Sequence, residues 1–434
     1  MGKEINRDIW KLAAPIILSN VSVPLLGAVD TAVVGHLPGA HHIGAVAIGA
    51  LILSFIYWGF GFLRMGTTGF TAQSLGAGDR DETLAVLARA MLAGGVLSIS
   101  VLALQWPLSV FAFTLIEPSH LVEEQARIYF DIRIWGAPAT LANYALVGWF
   151  IGLRDAKAAF YVQIFMNGLN IILDLWFVVG LEWGVAGVAW ASLISEGLAI
   201  GLAFWLAARK LHFLNGVWSK DRILDGAKLR RMFAVNRDIF IRTLGLQISF
   251  ALFTAVSARM GDTILAVNAV LMNFQSIMAY ALDGFAHAIE ALAGSYLGAR
   301  DRNGFRKAVK ISTLWALLFA VIFTLAYALF GGLIIDLMTD MEDIRSISRE
   351  YLPWVIALPL ISVWSFQLDG IFIGTTRTAE MRNAMVQSAI IFLLAIVILQ
   401  PMYANHGLWM AMMVLMVARA ITLAIRYPAL EKTV

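Results

Sequence analysis

The stretch Gly148-Trp149-Phe150-Ile151-Gly152 recurs as Gly370-Ile371-Phe372-Ile373-Gly374, 222 residues further along the chain. The same offset carries Leu75-Gly76-Ala77-Gly78-Asp79-Arg80 onto Leu297-Gly298-Ala299-Arg300-Asp301-Arg302, and Tyr129 onto Tyr351. Three separate blocks in one register identify a duplication. Internal repeats embedded in apolar segments are a recurring construction of secondary transporters, which place a substrate site between or within their halves.

The composition sets the solvent. Of 434 residues, 60% are hydrophobic and 14% charged, and the mean hydropathy is +0.78; soluble domains carry roughly 25% charge. The expected fold class is therefore all-α integral membrane protein, since a helix of about 20 apolar residues crosses a hydrocarbon core of roughly 30 Å. Twelve stretches qualify, near 12–36, 43–70, 85–106, 128–152, 158–180, 184–208, 239–260, 264–292, 307–332, 350–374, 384–402 and 407–426. The first follows Met1-Gly2-Lys3-Glu4-Ile5-Asn6-Arg7-Asp8 and lacks a small-residue cleavage site, so it reads as a span and not as a removed signal. With no Cys, disulfides, thiolate nucleophiles and Cys-held metals are excluded.

Lys and Arg concentrate on one side of these spans. That side holds Lys3, Arg7 and Lys11, then Arg154 and Lys157, the stretch from Arg209 to Arg237, and the cluster Arg300, Arg302, Arg306, Lys307 and Lys310; the other holds Arg127, Arg259, Arg345 and Arg349. The asymmetry places both termini in the cytoplasm. Six crossings per half make the repeats parallel, which predicts two six-helix lobes related by a pseudo-twofold axis along the membrane normal. The expected divisions are 1–208 for the first lobe, 209–238 for a cytoplasmic linker and 239–434 for the second lobe. A linker of that length is too short for a core of its own.

Ionised carboxylates inside a span cost about 2.5–3.5 kcal/mol on insertion scales, so each needs a partner or a function. Asp30 and Asp174 stand out. The first and fifth spans both run outward, which puts the two acids at similar depth in the outer half of the first lobe, and neither span contains Lys or Arg to neutralise them. Asn170 precedes Asp174 by one helical turn. Ser192 lies about two turns into the sixth span, and Asn143 and Tyr129 add polar groups from the fourth. Such a cluster can hold protons, because desolvation and like charge both favour the neutral form. Equally, its oxygens could ligate a small hard cation. The residues leave both readings open, beside the plainer one in which each polar group only joins helices.

These features resemble the multidrug and toxic compound extrusion (MATE) family, through the two six-helix halves, the first-span pattern from Pro15 to Val29-Asp30-Thr31-Ala32-Val33-Val34-Gly35-His36, and the Leu-Gly-Ala-Gly-Asp-Arg loop. Leu368-Asp369-Gly370-Ile371-Phe372-Ile373-Gly374 and the Asn170/Asp174 pair resemble its DinF-like branch. The resemblance covers nearly the whole chain. It implies cation coupling at Asp30, Asn170 and Asp174, with Ser192 at a hydroxyl position of the sixth span that is often Thr. It also implies a bend of the first span at its proline: Pro15 by the family pattern, with Pro24 nearer to Asp30 as a second hinge candidate.

The second lobe carries Gln247, Asp283, His287, Glu290 and Asp369 toward the cytoplasmic side. Arg64 is expected to be the repeat equivalent of His287, through Gly61-Phe62 and Gly284-Phe285. Arg64, Asp283, His287, Glu290 and Asp369 read first as an inner gate or packing pairs and second as a coupling site; Glu196 and Arg419 read as structural. The 26 Phe, 14 Trp and 17 Met could wall a site for bulky cations, although anchoring at interfaces and lipid contact explain most of them. No Walker loop suggests ATP, and the seven His lack metal-ligand spacing.

The expectation is a secondary antiporter, not an enzyme, exporting organic, cationic or amphiphilic small molecules by alternating access. Protons are the preferred coupling ion, and sodium at Asp30, Asn170, Asp174 and Ser192 is the alternative. No cofactor, firm metal site or nucleic-acid partner is expected; a monomer in a bacterial inner membrane is. The rival readings are a flippase for a lipid-linked substrate, which would need cationic residues in its cavity, and a non-transport membrane enzyme or scaffold.

Overall fold

The computed structural model describes residues 2–35 and 41–434, so His36 of the first-span pattern lies outside the described residues. In chain order the helices are α1 (Gly2–Gly35), α2 (His41–Gly59), α3 (Phe62–Gly76), α4 (Arg80–Ala103), α5 (Gln105–Ile116), α6 (His120–Arg133), α7 (Ala137–Gly152) and α8 (Ala156–Asp174). They continue as α9 (Gly184–Leu214), α10 (Lys220–Ile223), α11 (Gly226–Arg259), α12 (Asp262–Gly298), α13 (Arg302–Met338), α14 (Glu342–Gly374), α15 (Thr378–Ala424) and α16 (Tyr427–Glu431). A 3-10 turn, Ile134–Gly136, joins α6 to α7, and a π-helical run, Leu175–Gly180, extends α8. Among the described residues there is no strand.

All twelve expected segments are helical where described, but several are broken or fused. The third continues ten residues past its expected end as α5, with a one-residue break at Leu104. Pro107 explains the break, since it has no N–H to offer the Ala103 carbonyl. The last two segments fuse into α15, which turns at Ala404, where φ is 48° and ψ −125°. Nine helical stretches among the described residues are long and apolar enough to cross a membrane. The difference from twelve lies in α1, in the interrupted α6–α7 pair and in the fused arms of α15.

The chain forms two compact units, one of Leu18–Arg231 and one of residues 2–17 with Met232–Val434. This differs from the division expected at 1–208, 209–238 and 239–434. The start of α1 packs with the second half because its apolar stripe, Ile5, Ile9, Leu12, Ala13 and Ile16, is buried there. Trp10 sits edge-on to Phe285 and Trp315 with centroids 5.6 and 4.9 Å away, and Trp315 Nε1 donates to Asn6 Oδ1 at 2.5 Å. Gly284 makes room for this: a Cβ there would lie 2.3 Å from Ile17. Nor is 209–238 a separate linker, because α9 runs on to Leu214 and α11 already begins at Gly226.

Without a hydrophobic force between helices in lipid, close packing needs small residues. The repeated glycines supply it. A Cβ at Gly148 would lie 2.3 Å from the Arg64 carbonyl oxygen, and one at Gly370 the same distance from that of Ala286. At Gly152 and Gly374 the obstacles are the carbonyls of Thr68, at 2.8 Å, and Glu290, at 2.0 Å. This contact fixes the repeat register. Arg64 therefore corresponds to Ala286 and Thr68 to Glu290, and the expected match of Arg64 with His287 is one residue out of step.

The loops repeat bond for bond. Asp79 N bonds the Ser74 carbonyl and Asp301 N that of Tyr296, both at 3.0 Å; each Asp then caps the next helix, Asp79 accepting from Glu82 N and Asp301 from Gly304 N. The left-handed residue before the cap is Gly78 in one copy and Arg300 in the other. Each of these helix starts also carries a strap from its own unit. Arg222 holds Asp79 at 2.8 Å, Lys228 holds Glu82 at 2.5 Å, and Val217 N donates to Asp81. In the second unit the polarity is reversed: Glu431 receives Arg302 and Arg306, and Tyr427 stacks on Phe305.

Asp369 is the charged centre of the second unit. It accepts Arg419 Nη2 at 2.6 Å and Arg242 Nη2 on the same oxygen. All three are buried, and the space among them, closed by Met381, Ala384, Met385 and Leu423, leaves no room for a water.

Two stability outcomes follow from this packing. Gly374→Ala should lower the thermal-unfolding midpoint of the purified protein in detergent, since overpacking a tight contact costs about 1–3 kcal/mol; Gly95→Ala, with open space around it, should leave that midpoint unchanged. Asp369→Ala, which strands two buried guanidinium groups, should cost about 3–5 kcal/mol and be visible as loss of monodisperse protein on size-exclusion chromatography.

Candidate functional site

Inside the unit Leu18–Arg231 lies a cavity of about 500 Å³. Its formation begins with α1 and α8, which run side by side. Asn167 Nδ2 donates to Ser22 Oγ at 2.7 Å, and Gln163 Nε2 donates to Asn167 Oδ1 at 2.9 Å. Eight residues beyond Ser22 is Asp30, and seven beyond Asn167 is Asp174. Those steps are about 12 and 10.5 Å of helix, so the Ser22–Asn167 contact brings the two carboxyl groups to the same level.

The two carboxyl groups meet there. As two carboxylates neither has a hydrogen to give. Both Asp174 oxygens and Asp30 Oδ1 are buried and find no donor among the described residues. A buried acceptor without a donor carries a desolvation cost of about 1–3 kcal/mol, and one proton held between the pair would supply the missing donor. One turn earlier on α8, Asn170 Nδ2 donates to Ser192 Oγ on α9 at 3.2 Å, while Asn170 Oδ1 has no donor. Thus Asp30, Asn170, Asp174 and Ser192 form one cluster. Asp30, Asn170 and Ser192 line the cavity; Asp174 is wholly buried behind them.

Asn143 and Tyr129 line the same cavity, with Tyr57, Trp58 and Tyr144. The aromatic wall was not legible in the sequence, where each ring had a plainer role at the interface or in lipid. Nor does the sequence disclose its charged pair. Arg133 ends α6, and its two Nη atoms donate to the two Glu196 oxygens at 2.9 and 3.0 Å, with Thr140 Oγ1 donating to Glu196 Oε2 at 3.3 Å. Gly136, in the 3-10 turn, leaves space for the pair: a Cβ there would lie 2.7 Å from Glu196 Oε2. Glu196, read from the sequence as structural, thus faces the cavity. Opposite charges on the fourth and sixth spans were the available signal, but nothing in their spacing showed that these helices meet.

Pro15 and Pro24 both sit within the continuous helix α1, Pro15 in the unit that holds residues 2–17 and Pro24 in the unit with the cavity. The inner-gate candidates do not form one group within either unit. Arg64 belongs to Leu18–Arg231, with its backbone under Gly148; Asp283, His287, Glu290 and Asp369 belong to the other unit. There Asp369 is bound by Arg242 and Arg419, Asp283 lies within electrostatic reach of Arg419, and Glu290 is fully buried beneath Gly374. Among the described residues no group of three or more His, Asp or Glu has the geometry of a metal site.

The MatE family profile matches residues 15–176 and again residues 239–400, one match in each repeat. DNA damage-inducible protein F of Escherichia coli (strain K12) is 42% identical over 428 residues, covering 96% of this chain and 91% of its own. Protein DETOXIFICATION 44, chloroplastic, of Arabidopsis thaliana is 24% identical and covers 97% of this chain and 82% of its own. Among solved structures, one described as the outward-facing conformation of a multidrug resistance MATE family transporter of the MOP superfamily superposes with a TM-score of 0.87 at 19% identity, over 99% of this chain and 97% of the other. A twelve-helix, two-lobe fold, a doubled family match and a relative similar end to end agree: the chain belongs to the MatE family of membrane transporters.

Proposed function

We propose that the protein is a secondary antiporter that exports cationic or amphiphilic organic compounds in exchange for inward protons, with Asp30 and Asp174 as the proton site and Asn170 and Ser192 as its positioning groups. The observation that carries this reading is the wholly buried Asp174 carboxyl group beside the half-buried one of Asp30, with three of their four oxygens buried and without a donor among the described residues. A shared proton satisfies them, and its loss leaves negative charge on a cavity walled by Tyr57, Trp58, Tyr129 and Tyr144, where a lipophilic cation gains cation–π attraction.

The driving force is adequate without ATP. A membrane voltage contributes about 2.3 kcal/mol per charge per 100 mV, and one pH unit about 1.4 kcal/mol per proton. The Lys and Arg distribution supports cytoplasmic termini and an inner-membrane location. Sodium at the same oxygens is the alternative ion. The flippase reading has less support, because the one guanidinium in the cavity wall among the described residues is held by Glu196. Pro15 and Pro24 are proposed as hinges of α1, each deleting one backbone donor.

In proteoliposomes with an imposed pH gradient, Asp30→Asn should reduce export of a cationic dye to the level of empty liposomes, while the variant still elutes as a folded protein. Asp174→Asn should impair the same step, and the double variant should be no worse than the more severe single one, because the two acids act as one unit. Wild-type export by Asp30→Asn, or export that follows an imposed sodium gradient and ignores the proton gradient, would refute proton coupling at this pair.

A further inference from the structure

Arg133 and Glu196 are the other charged pair of the cavity, and their surroundings are built for exchange. Both line the cavity wall, with side chains 13% and 16% exposed. The guanidinium commits both Nη atoms to Glu196, while its Nε is buried with no acceptor among the described residues. Its charge reaches Asp30 and Asp174 as well as Glu196. Among the described residues the cavity lining thus has one guanidinium for two carboxyl groups, Glu196 and Asp30, with Asp174 buried behind Asp30 as a third.

The charges allow two self-consistent arrangements. In the first, the one seen here, Arg133 neutralises Glu196 and the aspartate pair needs a proton. In the second the proton has left, the ionised pair needs a donor, and Arg133 is the charged donor in the cavity wall. If Arg133 turns to the aspartates, Glu196 becomes a buried unpaired carboxylate, which is costly. An organic cation beside Glu196 removes that cost.

We infer that Glu196 is the docking carboxylate for the cationic group of the substrate, and that Arg133 moves between Glu196 and the Asp30–Asp174 pair so that one cation is accepted as one proton is released. The exchange balances: one positive charge enters the cavity and one leaves, with Arg133 changing partner. The break between α6 and α7 fits this role. Arg133 is the last residue of α6, and Gly136 clears the space into which a side chain at that position would otherwise press on the pair. Thr140, bonded to Glu196 and not to Arg133, can hold the carboxylate in place while the guanidinium leaves.

This inference rests on the proposed proton site, and the test separates the two. Binding of tetraphenylphosphonium to the purified full chain in detergent is measured together with the protons released per cation bound, in unbuffered solution. Wild type should release about one proton per cation. Glu196→Gln, which keeps size and the Thr140 contact, should weaken binding at least about tenfold, the worth of a charged contact. Arg133→Gln/Glu196→Gln removes both charges and so avoids a stranded ion; it should fold, bind as weakly as the single variant and release well under half a proton per cation. A purely structural pair predicts the opposite: wild-type affinity and a full proton in the double variant, a result that overturns the inference. Should Asp30→Asn also release a full proton, the proton site itself is wrong; should Asp30→Asn abolish release while the double variant behaves as wild type, only the exchange through Arg133 fails.

Discussion

Contact of backbone with backbone at four glycines is the constraint on which the rest depends. In a bilayer no solvent drives apolar helices together, so helix association relies on how closely their surfaces can approach. Gly148 and Gly152 let α7 lie directly on the carbonyls of Arg64 and Thr68, and Gly370 and Gly374 do the same for α14 on Ala286 and Glu290. Both contacts bury the intervening aromatic residues, Trp149 and Phe150 in one copy and Phe372 in the other. The α3–α7 and α12–α14 pairs then act as fixed frames within their units. Against the first frame stand the helices that carry the cavity.

On these frames the two units treat charge differently. In Leu18–Arg231, Asp30 and Glu196 face a space of about 500 Å³, and Asp174 behind Asp30 has no donor among the described residues. In the other unit, Asp369 is held by two arginines in a space that excludes even water. An acid satisfied by two guanidinium groups has little reason to bind anything else; an acid with no donor invites a proton or an ion. Both began as intramembrane aspartates in the sequence, and only their neighbours distinguish them.

The sequence disclosed what depends on spacing along one helix and hid what depends on helices meeting. Duplication was legible, because Gly148–Gly152 and Leu75–Arg80 recur in one register. So was the pairing of Asn170 with Asp174, one turn apart, and the depth shared by Asp30 and Asp174. The Arg133–Glu196 bond was not, since it joins helices 63 residues apart with no motif between them. The burial of the first turns of α1 with the second half was equally hidden: the stripe Ile5, Ile9, Leu12, Ala13, Ile16 shows a buried face without saying against what. The two-residue match Gly-Phe sets Arg64 against His287, whereas the longer glycine pattern, which the packing obeys, sets it against Ala286.

A duplicated chain has to keep two near-copies of the same loop from claiming each other's partners while it is being made. The straps at the starts of α4 and α13 address that problem. Their ion pairs are largely exposed, with Arg222 and Asp79 about two-fifths accessible, so each adds at most about 1 kcal/mol of stability. Their signs matter more. Acids at the start of α4 receive a basic strap, and bases at the start of α13 receive an acidic one. Glu431 brought to Asp79 and Glu82, or Arg222 brought to Arg302 and Arg306, would meet like charge. A weak contact with inverted polarity can therefore act as an address label, guiding each half to close on itself as it emerges from the ribosome.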